Sequence, residues 1–373
     1  MKRNALALGN SRPASPTSSG PASGGERRPA GDRPARGGWR WLAVLVLLLA
    51  LIGLPFLFDA LFGDGAAFQL HRVTLILILA IAALAQNLLT GYAAQPSLGN
   101  AAFFGVSAYL LAWLSGDLQQ PYWLAVLVAL VACALLGLLV GGPALSVSGA
   151  HLAIATLGLV ILTGSLLTLW DTSAGRQSYE LTALPAVLSD DRSLYYVVLA
   201  LTALIFVCAF HLLRSRVGRA WIALRDSEVA AAACGIALTR YKLLAFVVSA
   251  VLTGLAGVLY ASWGTTATAS MSSVDQTIAF LTMIVVGGPG SLLGSLLGAL
   301  FVGLLPLLLG ELPDPLTLGP LQLPIATLTT GIYGLLLLLA LISFPGGLSA
   351  FLSGRSRWRS LASGLVREKG GEP

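Results

Sequence analysis

Few residues in this 373-residue chain are able to do covalent chemistry. Histidine occurs only at 71, 151 and 211, and lysine only at 2, 242 and 369. No H-E-x-x-H, no G-x-S-x-G and no cluster with metal-ligand spacing is present, so no metal site is expected. No lysine is followed by Ser or Thr, which excludes a Walker A loop and with it ATP binding through a P-loop. The cysteines, 133, 208 and 234, form no C-x-x-C pair. Cys133 and Cys208 fall in apolar runs and read as small buried hydrophobes rather than as a disulfide or zinc framework. A reactive constellation for a membrane-embedded enzyme is not found.

The elements that would have to position any site belong to a membrane protein. Hydrophobic residues make up 56% of the chain and charged residues only 10%, and mean hydropathy is +0.85. A soluble domain is roughly a quarter charged. Residues 1–40 are rich in Pro, Ser, Gly and Arg and read as a disordered basic tail. Apolar runs follow at 41–62, 73–93, 98–115, 122–140, 151–170, 194–213, 243–263, 278–286, 292–309 and 323–342. A span takes about 20 residues, so most runs qualify, and GGPGS at 287–291 separates the short run 278–286 from its successor. The fold class is all-α and polytopic, with about eight to ten transmembrane helices over residues 41–343. The first run is span-length and no A-x-A site follows it, so a retained helix is expected rather than a signal peptide.

Charge sets the orientation. Residues 1–40 hold eight Lys/Arg, the 214–242 loop six and the tail 344–373 five, which leaves three for the rest of the chain against ten acids. The positive-inside rule then places both termini and the 214–242 loop in the cytoplasm, with six crossings before the loop and four after it. Two crossings within 278–309 are needed to put Glu311 and Asp314 outside. The localisation is the cytoplasmic (inner) membrane, and the basic pI points to lipid rather than nucleic acid. Aromatic residues near the run ends, such as Trp113, Trp123, Trp170 and Trp263, read as an interfacial belt.

Within the runs, ionised groups are nearly absent; only Asp59 lies near a run end. Proton-coupled carriers commonly need such groups, so energy has to come from elsewhere or the protein is a passive channel. Polar residues within the runs include Gln86, Asn87, Asn100, Ser107, Tyr109, Thr156, Thr163 and Ser165. For most of them, hydrogen bonding between helices is the favoured role. Gln86 and Asn87 are the exception: adjacent carboxamides face different sides of a helix, and at least one of them is expected on a polar path. Two stretches broken by Gly and Pro, 89–109 and 285–303, stand at corresponding places in the two halves and point to a translocation site. Close helix packing through Gly290, Gly294 and Gly298 is the equal alternative. The candidate path residues are Gln86, Asn87, Ser97, Asn100, Phe103, Gly288, Gly290 and Ser291.

The 214–242 loop, RSRVGRAWIALRDSEVAAAACGIALTRYK, is rich in helix formers from 219 to 234, with Gly235 where a helix would stop. Trp221, Ile222, Leu224 and Val229 offer apolar contacts. An interfacial helix, a solvated connector and docking into a partner's groove have comparable weight on composition.

The stretch 218–261, GRAWIALRDSEVAAAACGIALTRYKLLAFVVSAVLTGLAGVLYA, resembles the signature region of branched-chain amino acid ABC transporter permeases of the LivM type. LTGYAAQPSLGNAAFFGVSAYL (89–110), GAHLAIATLGLVIL (149–162), VVGGPGSLLGSLLGALF (285–301) and SFPGGLSAFL (343–352) agree with it in order. The resemblance covers about residues 41–352. It implies a type II importer permease whose loop after the sixth span docks into an ATPase. Glu228, Ala231, Ala232 and Gly235 occupy the places of the family's Glu-Ala-Ala-x3-Gly-like element, and Arg219 and Arg225 flank it. It also implies partners: two cytoplasmic P-loop ATPases that bind the ATP, a second related permease and an external solute-binding protein. No cofactor is expected on this chain. Such permeases usually read G-Q-L-S-L-G-H where this chain reads Ala94-Gln95-Pro96-Ser97-Leu98-Gly99-Asn100. The expected function is ATP-driven import of branched-chain or related amino acids, or of a small amide such as urea. The alternative is a passive channel or secondary carrier for a small polar solute.

Overall fold

The computed structural model describes residues 37–63, 66–144, 149–176, 178–181, 184–309, 316–318, 321–323, 328, 331–335, 338–339 and 347–348. Residues 1–36, nearly all of the C-terminal tail, Glu311, Asp314 and much of the run 323–342 lie outside them. The chain divides into two compact units, 1–50 and 51–373. In the first, the described part is residues 37–50, the opening of helix α1 (Gly37–Phe62). That helix starts inside the segment the sequence assigns to the tail.

The second unit is built from helices α2 (Ala66–Asn87), α3 (Asn100–Ala112), α4 (Tyr122–Ala144), α5 (Ala150–Ala174), α6 (Ala186–Ser189), α7 (Asp191–Arg214), α8 (Arg216–Asp226), α9 (Glu228–Ala233), α10 (Leu238–Gly264), α11 (Val274–Gly287) and α12 (Leu292–Leu309). Two-residue strands β1 (Tyr179–Glu180) and β2 (Thr266–Ala267) pair antiparallel, as do β3 (Leu316–Leu318) and β4 (Leu321–Leu323). Among the described residues, six helices are long and apolar enough to cross a bilayer. Two shorter apolar helices, Leu49–Leu61 and Leu292–Leu304, accompany them, and the run 98–115 forms α3.

Lipid is as apolar as a protein core, so hydropathy does not decide which helix lies inside; side-chain size does. Eleven of the thirteen residues of α3 are buried, and α10 packs on α2, α3 and α4. A Cβ on Gly257 of α10 would collide with the Phe104 carbonyl of α3, and one on Gly137 of α4 would press on Ala250. The small residues let these backbones approach closely. In α2, 83% of the spanning window is buried, against 22% in α5, which marks α5 as a peripheral helix. Helices α11 and α12 form an antiparallel hairpin, with Gly294 against the Gly287 and Gly288 carbonyls and Gly298 against the Met283 carbonyl. The packing role of the Gly294–Gly298 stripe therefore holds.

The two ends of the bundle differ in charge as the sequence requires. One end carries α8, α9 and their arginines. At the other, Asp59 pairs with Arg192 at 2.5 Å, Asp117 with Arg176, and His71 with Asp191 at 3.2 Å. The Asp117 carboxylate, by its hydrogen bond and then by its charge, holds the Arg176 guanidinium above its ordinary pKa. Aromatic residues gather at this end: Trp113 meets Trp170 edge-on, and His71 stacks on Trp263. Cys133 is buried, as expected, whereas Cys208 is exposed on α7 and Cys234 at the end of α9. For Cys208 the expectation of burial fails, because an apolar run in a bilayer has a lipid-facing side as well as a core side.

Candidate functional site

The two broken stretches lie against each other near the basic end. After Asn87 the α-helix α2 widens into a π-helical turn, Leu88–Tyr92, and then unwinds over 93–99. Backbone can unwind at membrane depth only if other groups take up its polar atoms. Three helices do so here. Gln86 Nε2 donates to the Ser97 carbonyl at 2.5 Å, the Leu98 N–H donates to Thr156 Oγ1 of α5 at 2.9 Å, and Thr277 Oγ1 of α11 donates to the Leu98 carbonyl at 3.4 Å. Asn100 Nδ2 ties the start of α3 to Ser249 and Thr253 of α10. Gln86 Oε1, Gln95 Nε2 and Asn100 Oδ1 are buried without a hydrogen-bond partner among the described residues.

Asn87 joins the second break to the first. Its Oδ1 accepts the Gly290 N–H at 2.8 Å, and its Nδ2 donates to the Ser291 carbonyl at 2.8 Å and to Ser295 Oγ at 2.7 Å. Gly290 has φ +75°, which glycine adopts at no steric cost. A Cβ there would strike the Arg225 guanidinium. The candidate path residues thus separate into groups. Asn87 meets Gly290 and Ser291, with Gly288 in the same turn. Gln86 meets Ser97, Asn100 meets α10, and Phe103 packs apart with Cys133 and Ala250. Gln86, Asn87, Ser97, Asn100 and Phe103 are all inside the packed chain. None of these five borders an open surface.

The loop between α7 and α10 is two helices, where the sequence suggests one over 219–234. Ser227 interrupts it: its extended backbone ends α8, and its side chain caps α9 by accepting the Ala230 N–H. Gly235, at φ +78°, closes α9 as expected. Trp221 and Leu224 are buried, and Trp221 Nε1 donates to the Tyr241 carbonyl at 2.9 Å. Ile222 and Val229 point outward, and Val229 is 81% exposed. Among the candidate coupling residues, Ala231 is buried, Ala232 and Gly235 are exposed, and Arg219 donates to the Arg214 carbonyl at 3.0 Å. Arg225 lies over Gly290, and Glu228 forms a 2.7 Å ion pair with the largely buried Lys242 of α10.

One charged residue escapes a reading by hydropathy. Helix α11 begins at Val274, four residues before the apolar run, so Asp275 lies in its first turn. After β2 the chain turns inward. Ser272 Oγ lies 2.7 Å from Thr163 Oγ1, and a Cβ on Gly164 would touch the Ser272 carbonyl. Thr163 and Gly164 are at the middle of the 25-residue α5, roughly 17–20 Å from either end at 1.5 Å per residue. Thr277, further along α11, reaches Leu98, which is level with Thr156. Asp275 sits between these levels, within the depth of the bilayer core, and is exposed on the surface of the chain. A legible signal was present: Ser273 followed by Gln276 is a capping box, and Ser273 Oγ does accept the Gln276 N–H. The expectation that, Asp59 near a run end apart, no charged residue sits within a span is corrected accordingly, since the bilayer-length segment Ala269–Gly287 contains Asp275. Beside this turn is an open groove of about 700 Å3 between α5 and residues 269–274, lined by Gly164, Ser165, Thr168, Ser272, Ser273 and Val274 among others.

Bilayer-length helices around a packed α2–α3–α10 centre, with backbone broken and satisfied at membrane depth, define a polytopic α-helical membrane protein. Residues 70–341 match the model of one family, described as the branched-chain amino acid transport system / permease component, and the chain belongs to that family. Over 289 residues it is 29% identical to the high-affinity branched-chain amino acid transport system permease protein LivM of Salmonella typhimurium, covering 70% of this chain and 66% of that protein. The LivM protein of Escherichia coli is 28% identical with the same coverage. The autoinducer 2 import system permease protein LsrC of Enterobacter sp. is 27% identical over 275 residues, 70% of this chain and 76% of that protein. The match thus spans just under two thirds of the length of the two LivM proteins. No solved structure matches.

Proposed function

We propose that the chain is the permease subunit of an ABC importer for branched-chain or related amino acids. Its partners are two P-loop ATPases that bind the ATP, a second permease and an external solute-binding protein. The basic end, both termini and the α8–α9 pair face the cytoplasm of the inner membrane. Residues 41–343 are the transmembrane domain, and the basic tails flank it. Family membership supports this reading, and the names of the LivM relatives support the amino acid cargo. The LsrC relative supports a wider range of solutes for the scaffold.

The α8–α9 pair carries the proposal. Trp221, Leu224 and the Glu228–Lys242 ion pair seat it firmly on the bundle, while Ile222 and Val229 face outward beside Arg219. An apolar tip on a rigid mount is a surface for a partner's groove. Arg225 and Asn87 then relay displacement of α8 to the Gly290 turn and to α2. Purification from native membranes with the loop intact, and with Val229→Asp, tests this. Recovery of P-loop ATPases with the wild type and their loss with Val229→Asp is the expected result. If no ATPase accompanies the wild type, the importer reading fails.

A secondary carrier is favoured by one observation, the carboxylate of Asp275 at membrane depth. Uptake that collapses with an uncoupler but survives ATP depletion would establish that reading instead.

A further inference from the structure

We propose that the corner between α7 and α8 holds an anionic phospholipid, with its headgroup phosphate on Arg214 and Arg219 and its acyl chains along α7. Such a site requires only that α7 crosses the bilayer, and it is independent of the cargo.

Helix α7 is of bilayer length and ends at Arg214, so Arg214 and the start of α8 lie at the membrane surface. Leu204, Val207, Cys208 and His211 are exposed on α7. Their spacing of three and four places them on one face, which meets lipid, and Arg214 continues it. Side chains on a helix lean towards its N-terminus, here back over the bilayer. Arg214 Cζ accordingly lies 3.9 Å from the centre of the Phe210 ring, one turn deeper. Gly218 folds α8 onto this end: a Cβ there would fall 2.3 Å from Leu213 Cα and from its carbonyl oxygen. The close corner lets Arg219 Nη1 donate to the Arg214 carbonyl at 3.0 Å. Two guanidinium groups are thus anchored where the lipid-facing stripe stops.

No carboxylate neutralises them. Arg214, Arg216 and Arg219 form no ion pair among the described residues. Glu228 is held by Lys242, and Asp226 closes the far end of α8, roughly 10 Å along the axis from Arg219. A guanidinium presents planar N–H donors that match a phosphate bidentately, and resting on an aromatic face leaves those donors available. A soluble anion would satisfy the charge and leave the apolar stripe uncovered. An ATPase in the aqueous phase does not reach Leu204 or Val207. A lipid with a negatively charged headgroup satisfies both.

The test uses the full chain with Cys234→Ser, carrying a fluorophore on Cys208, in phosphatidylcholine vesicles; Cys133 is buried and stays unlabelled. Cys208 stands about 9 Å along α7 from Arg214. Phosphatidylglycerol or phosphatidylcholine with a nitroxide on its acyl chain is then added, and quenching reports which lipid occupies the stripe. Wild type should prefer phosphatidylglycerol about twentyfold, about fivefold for each arginine. Arg214→Gln with Arg219→Gln should bring the preference below about threefold, and Arg214→Lys with Arg219→Lys should keep at least about half of it. Sodium chloride at roughly 1 M should suppress the wild-type preference, because screening then acts over about 3 Å, and this arm requires no variant to fold. A wild-type preference below about threefold, or one that survives the salt, overturns the site. So does an unchanged preference in a folded glutamine pair that has lost co-purifying ATPases, which would assign the arginines to a protein contact. Loss of the preference in excess inorganic phosphate at constant ionic strength would assign them to a free anion and overturn the lipid.

Discussion

Replacing Asn87 with alanine breaks three hydrogen bonds at a fully buried point where α2, the Gly290 turn and α12 meet. Their losses differ. The Ser291 carbonyl still accepts the Ser295 N–H at 3.1 Å, and Ser295 Oγ still reaches that carbonyl at 3.4 Å. Each of those two bonds from Nδ2 is then a net loss of about 0.6 kcal/mol, the average for polar contacts between membrane helices. The Gly290 N–H, on a half-buried residue, loses its side-chain partner, and an orphaned donor costs about 1–3 kcal/mol to the extent that it is shielded from water. The sum is about 2–4 kcal/mol for Asn87→Ala. Ser295→Ala alone should cost about 0.6 kcal/mol, and the double variant should fall short of additivity by a similar amount. Unfolding in mixed micelles, titrated with SDS and followed by labelling of the buried Cys133 in a chain without Cys208 and Cys234, gives these energies directly. A loss below about 0.5 kcal/mol for Asn87→Ala, the range of an unremarkable surface change, would refute the reading of Asn87 as the clasp between the two breaks.

Two further outcomes follow from the packing. Glu228→Gln leaves Lys242 largely buried without its counter-charge, and because Glu228 itself is half-exposed the cost should be only about 1–2 kcal/mol; the exchange Glu228→Lys with Lys242→Glu should recover most of it in the same unfolding assay. Gly298→Ala drives a methyl group into the Met283 carbonyl, so the α11–α12 hairpin should lose about 1–3 kcal/mol, and faster amide exchange over 283–298 than in wild type would locate the damage.

The Glu228 result bears on how coupling variants are interpreted. A charge reversal at Glu228 would set a second cation against Lys242, so lost transport could reflect a displaced α9 as readily as a lost contact with an ATPase. Val229, which the ion pair does not involve, is the cleaner probe of an external surface. Residue type alone did not separate Val229 from Trp221 or Leu224, because in a short amphipathic stretch of this kind the break at Ser227 changes which side each residue faces. The Ser227-x-x-Ala230 cap has no acidic or amide residue at its third position, and the legible capping box is the one further on, at Ser273 and Gln276.

The sequence by itself determined that this is a membrane protein, where most of its helices run, that its ends differ in charge, and that it has no P-loop. These properties are local: hydropathy, capping and charge act over one helix or one loop, and each is written in consecutive residues. The tertiary structure alone decided which polar groups are enclosed and which are open. Asn87 is satisfied by residues more than 200 positions away. The depth of Asp275 depends on how residues 265–273 fold back to the middle of α5. Among helices that are all apolar, only the fit of small residues selects neighbours, and that fit is a property of pairs distant in the chain.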